Sequence, residues 1–102
     1  MKKLILFAGL ALTTLSCNKV KTGDVTFWQA TGSGTGITVV SLDGISSNIT
    51  SEYTSTPSCG SAGCAVFNDL EEGTYSYSAS DGTNNWAGTV TVIEGCNRVE
   101  LY

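Results

Sequence analysis

A chain of 102 residues has room for one small domain and a single core. Nine acids against five bases leave a net charge of −4, which speaks against nucleic acid as a partner because that needs a basic footprint. The sequence has no histidine, so it lacks the side chain that most often serves as acid or base near neutral pH.

Lys2 and Lys3 precede an apolar run over residues 4–15, broken only by Gly9, Thr13 and Thr14, which ends in Ser16-Cys17. A charged start and a short apolar stretch closed by a small residue describe a secretory signal peptide. About twelve apolar residues are too few for a helix to cross a bilayer, which takes roughly twenty. A cysteine directly after a small residue resembles the bacterial lipobox, although Leu15 stands one place nearer the cysteine than the strict form has it. The expectation is that residues 1–16 are removed, that Cys17 is lipidated, and that residues 17–23 form a flexible polar tether. One acyl chain gives only marginal membrane binding, at about 0.8 kcal/mol per buried methylene, whereas the three chains implied by the lipoprotein resemblance would hold permanently. The lipid bilayer, reached through Cys17, is thus the first expected partner, and the bacterial cell envelope, at its outer membrane, the expected location. The shortened chain keeps Lys19, Lys21 and Arg98 against nine acids, a net charge of −6.

Residues 24–102 carry no helical period but short alternating runs rich in Thr, Ser, Val, Tyr and Gly, the pattern of strands and turns. The first strand is predicted over residues 24–30. Residues 32–36, a Gly-Ser-Gly-Thr-Gly run, lack the following lysine and helix of a phosphate cradle and read as a turn. Strands over 37–42 and 45–53 are joined by Asp43-Gly44, a strong hairpin signal. Residues 54–63, with the one proline, Pro57, form a loop. Strands follow over 65–68 and 73–80, the latter with Tyr75, Tyr77 and Ala79 on one face and hydroxyl residues on the other. Turns at 81–85 and at Glu94-Gly95 separate two more strands, 86–93 and 97–102. Seven short, regularly spaced strands predict an all-β fold, a single antiparallel β-sandwich.

Ordering so small a domain leaves little net stability, and covalent staples help. With Cys17 assigned to the anchor, Cys59, Cys64 and Cys96 remain, and an oxidising compartment favours one disulfide with one thiol left over. A Cys59–Cys64 bond would pin the 54–63 loop and contribute about 2 kcal/mol, and closing the longer Cys64–Cys96 loop about 4 kcal/mol. Spacing does not choose among these and Cys59–Cys96. A zinc site is not expected, since three cysteines without histidine leave no fourth soft ligand.

The stretch Phe67-Asn-Asp-Leu70-Glu-Glu-Gly73-Thr-Tyr75, followed by Gly88-Thr-Val-Thr-Val92, resembles the carboxypeptidase regulatory-like (prealbumin-like) β-sandwiches. There a phenylalanine ends one strand, a Leu-x-x-Gly loop follows, and a tyrosine-bearing strand comes next. The likeness covers about the last 40 residues well and the first half loosely. It implies a module without catalytic residues that tethers, spaces or presents something else. The whole chain also looks like the very small Gram-negative lipoproteins built from one such domain.

Chemistry points the same way. Each carboxylate sits in a predicted turn or on a polar strand face, the Asp69, Glu71 and Asp81 set lacks the spacing of a calcium loop, and no base is present to activate a cysteine. Neither catalysis nor a cofactor or metal is therefore expected. Binding rests on aromatics. Phe27 and Trp28 are adjacent on a strand and face opposite ways, so Trp28 is a candidate, with Trp86, Tyr53 and Tyr102, for a platform that takes a glycan or a protein. A structural or surface-interaction role is the leading expectation, ligand binding the alternative, and an envelope inhibitor or immunity protein a third.

Overall fold

The computed structural model describes residues 20–32 and 36–102. The expected signal peptide and residues 17–19 of the expected tether, Cys17 among them, lie outside them, as does the middle of the Gly32–Gly36 turn; Thr22 and Gly23, expected in the tether, belong to the first strand. Seven strands follow in chain order: β1 (Thr22–Gln29), β2 (Thr38–Leu42), β3 (Ile45–Ile49), β4 (Ala65–Glu71), β5 (Gly73–Ser80), β6 (Asn85–Val92) and β7 (Gly95–Leu101). They build two sheets, one of three strands ordered β4-β1-β7 and one of four ordered β3-β2-β5-β6. The expected all-β, seven-strand sandwich is the observed architecture.

The alternation read from the sequence places the core. Val25, Phe27, Phe67 and Leu101 from the smaller sheet meet Val40, Leu42, Ile49, Ala79, Val90 and Val92 from the larger. Phe27 is the centre of this contact, with its ring edge-on to Phe67 at 5.7 Å and to Tyr77 at 4.9 Å, an arrangement aromatic quadrupoles favour.

All pairings but one are antiparallel; β1 and β7, the first and last strands, run parallel from Gly23↔Gly95 to Gln29↔Leu101. The β2–β3 hairpin turns on Asp43 and Gly44, both with positive φ (52° and 78°), as a two-residue primed turn requires. β3 stops at Ile49, earlier than the expected residue 53, because the chain leaves the larger sheet there. Thr50 and Ser51 donate their N–H groups to Gly63 O, at 2.8 and 3.2 Å, and Tyr53 bridges to Ala30 beside the smaller sheet. β4 runs on to Glu71 through a bulge opposite Asp24, at which Asp69 takes a φ of 59° and its N–H is bound by the Asp24 carboxylate at 2.9 Å.

The outer face of the larger sheet bears no charge. Thr74 opposes Thr91, Ser76 opposes Thr89, and Ser41 stands between Ser46 and Ser78; Val39, 43% exposed, and Ala87 are apolar members. The outer face of the smaller sheet is covered by the 54–63 loop, whose Gly60 N–H donates to Thr26 Oγ1 at 3.0 Å and whose Pro57 carbonyl accepts from Arg98.

Candidate functional site

The loop is stapled to that outer face by a Cys59–Cys96 disulfide, with Cα atoms 5.9 Å apart. This is the third of the pairings the sequence left open, so the Cys59–Cys64 clasp does not form. Cys64 is a buried thiol without a disulfide, and burial pushes its pKa above the ordinary value.

The four candidate aromatics occupy three places. Trp28 shares the covered face with Thr26 and is 6% exposed. Tyr53 is half-buried, and its hydroxyl donates to the Ala62 carbonyl. Trp86 packs partly against the core, and its indole N–H donates to the Tyr102 carbonyl at 3.2 Å, while Tyr102 is 87% exposed. Trp86 and Tyr102 are thus brought together; Trp28 points away from them.

Strand direction sorts these features into two ends. β1 begins at the tether, beside the 71–73 and 93–95 turns, where Glu72 N–H donates to Lys21 O at 3.1 Å and Glu94 N–H to the Glu72 carboxylate at 2.9 Å. β1 finishes at Gln29, level with Leu101 and next to Tyr53, Thr38 and the end of β3. This far end is separated from the tether end by the length of β1, eight residues or roughly 26 Å at about 3.3 Å per residue.

A cavity of about 410 Å³ opens at the far end, lined by Gln29, Gly36, Ile37, Ile49, Thr50, Ser51 and Glu52. Backbone bonds hold its wall: besides the two accepted by Gly63 O, Tyr53 N–H donates to Gln29 O at 3.0 Å and Thr31 N–H to Tyr53 O at 3.1 Å. The Glu52 carboxylate accepts from Gly32 N–H at 3.0 Å. Gln29 follows Val25 and Phe27 on the core-facing side of β1 and is 1% exposed. Its Oε1 accepts from the buried Thr38 hydroxyl at 2.9 Å, and its Nε2 has no hydrogen-bond partner among the described residues. Sequence reasoning missed Gln29; the signal was an amide standing where the alternation calls for an apolar residue.

No group of acids and cysteines among the described residues is arranged to hold a metal ion, and no helix among them is long and apolar enough to cross a membrane. No family model matches the chain, and no curated protein matches it.

Proposed function

We propose that the chain is an exported, lipid-anchored, non-catalytic β-sandwich that acts by interaction at the cell envelope, held through Cys17 and presenting its far end outward. The observation that carries this reading is the direction of β1. It starts at Thr22, five positions after the lipobox-like cysteine, and delivers the chain to a cavity and the Trp86–Tyr102 pair at the opposite end. An anchored module needs such polarity, because a surface beside the tether would face lipid head groups. The net charge of −6 without residues 1–16 suits a domain that stands off an anionic membrane. The likeness to carboxypeptidase regulatory-like domains, carried by Phe67, Leu70, Gly73 and Tyr75, belongs to the same reading, since such modules tether and present. Ligand binding at the far end, to a glycan or a protein, is the more specific form, and the exposed Tyr102 beside Trp86 favours it.

The test is the intact mass of the protein purified from its native membranes, compared with a Cys17→Ala variant. A mass above that of residues 17–102 by a diacylglyceryl group and an acyl chain, lost in the variant along with membrane association, is the expected result. A water-soluble product without lipid sinks the anchor.

A further inference from the structure

We infer that the outer edge of β6 is a docking strand for an extended, basic segment of a partner polypeptide, which joins the larger sheet as a further strand. The inference goes beyond the anchored-module reading above and draws on it at one point, the choice of a partner over a second copy. The two sheets have four edge strands, β3 and β6 in the larger and β4 and β7 in the smaller. An edge presents unpaired N–H and C=O groups, which folds blunt with charge, proline, a bulge, shortness or a cover. Three of the four edges are blunted. β3 has five residues and lies against β4, whose Val66 N–H donates to Ser47 Oγ at 3.3 Å. β4 carries Asp69 and Glu71 and is broken by the bulge opposite Asp24. β7 carries Arg98 and Glu100 and is tied to the 54–63 loop through Cys96 and Arg98.

β6 has none of these devices. Its eight residues contain no charge and no proline, they pair with β5 one to one without a bulge, and among the described residues β5 is their one neighbour in the sheet. Every second residue of an antiparallel edge turns its N–H and C=O outward, so these groups recur about 6.6 Å apart along β6. An extended backbone matches that repeat, which makes the ligand a polypeptide. Exposed Ala87 and Thr89 at the rim are small, and Tyr102, 87% exposed beside Trp86, offers an aromatic surface to a partner side chain at the far end of the edge. Charge selects the partner. Asp81 stands in the turn before β6 and Glu94 in the turn after it, so an uncharged stretch flanked by lysine or arginine is complementary and an acidic one is repelled. A second copy is itself acidic. Pairing β6 antiparallel with its own copy would also send the two tethers opposite ways, whereas one membrane holds both on the same side.

The experiment titrates the protein, purified from its membranes in a non-ionic detergent, with three peptides. One alternates threonine and valine between flanking lysines, one has the same core between glutamates, and one is the lysine peptide with every backbone nitrogen methylated. Hydrogen exchange over residues 85–92 locates the contact. The lysine peptide should bind and slow exchange in β6 at least about ten-fold, the glutamate peptide should bind at least about ten-fold more weakly, and the methylated one should not bind. Thr89→Lys, at an exposed position in the middle of the edge, should weaken binding at least about ten-fold. Thr74→Lys, on the same face but on β5, should leave binding unchanged, with the melting temperatures of both variants held. Protection elsewhere than on β6, or full binding by Thr89→Lys, overturns the site. Equal binding of the lysine and glutamate peptides overturns the partner's chemistry. Self-association that Thr89→Lys abolishes, with no peptide bound, gives the edge to a second copy and overturns the inference, as does failure of every peptide. The mass measurement on Cys17 judges the anchor separately.

Discussion

The Thr38 hydroxyl donates to the Gln29 amide oxygen across the gap between the two sheets, at 2.9 Å and with both residues buried. Among the described residues neither side chain has another hydrogen-bond partner, so each depends on the other. Thr38→Val alone should destabilise the fold by about 1–3 kcal/mol, since it strands the amide oxygen. The double change Gln29→Leu with Thr38→Val should be close to neutral or stabilising, because it removes the whole polar pair and the unanswered nitrogen with it. Urea unfolding of the three proteins gives the comparison; a double variant less stable than the single one would show that the pair is a net structural asset.

The Cys59–Cys96 bond spans 37 positions, and the chain-entropy estimate for a loop of that size is about 4 kcal/mol. Replacing both cysteines with serine should lower stability by about that amount and release the 54–63 loop from the face it covers. Tryptophan fluorescence should then report greater exposure of Trp28, which the loop's face shelters in the intact protein. Unchanged stability and unchanged fluorescence would mean that the Gly60–Thr26 and Arg98–Pro57 bonds hold the loop unaided.

Burial raises the Cys64 pKa above its ordinary value of 9.0. The unfolded chain therefore releases this proton at lower pH than the folded one. The neutral thiol's contribution to stability is whole below about pH 9 and declines as pH rises from there toward the folded value. Denaturant midpoints taken from pH 8 upward should fall more steeply in the native chain than in Cys64→Ala. A thiol reagent should label Cys64 slowly in the folded state and rapidly after unfolding.

At Gly23 a Cβ would stand 2.0 Å from the Ile93 carbonyl oxygen, and backbone is what it meets. Gly23→Ala should cost about 3 kcal/mol or prevent folding, since the tether-end turn and β1 must separate to admit one methyl group. Gly88→Ala, whose Cβ would meet the Tyr77 hydroxyl at 3.0 Å, should be milder because a side chain can yield where a backbone cannot. Melting temperatures of the two variants decide it.

What was legible in the sequence was local. The alternation over residues 73–80 marked β5 to the residue, and Asp43-Gly44 marked the hairpin, because period and turn chemistry act within a few positions. Strand ends set from a distance were not legible. β3 stops at Ile49 since Thr50 and Ser51 find their acceptor at Gly63, and β4 continues past residue 68 because Asp24, 45 positions away, caps the bulge at Asp69. The disulfide partner was hidden for the same reason: loop entropy ranks pairings, whereas the crossing of the 54–63 loop over β7 selects one. As for the site, the aromatics were visible by type, yet their grouping follows from which sheet face each strand turns outward. Gln29 was readable only as a polar residue out of phase.

β1 sits in the middle of its sheet, between β4 and its parallel neighbour β7. Its full set of neighbours exists only when the last strand has been made, so the order of synthesis is not the order of assembly. A nascent chain carrying β1 through β6 can close the four-stranded sheet, whose hairpins are local, but must hold Val25 and Phe27 half-dressed until residues 95–101 arrive. Such non-local closure slows folding and leaves an apolar strand edge open in the meantime. Truncation before β7 should therefore yield an aggregating species rather than a smaller domain, and the Cys59–Cys96 bond, which waits on the same strand, is a natural marker of the moment at which the fold is complete.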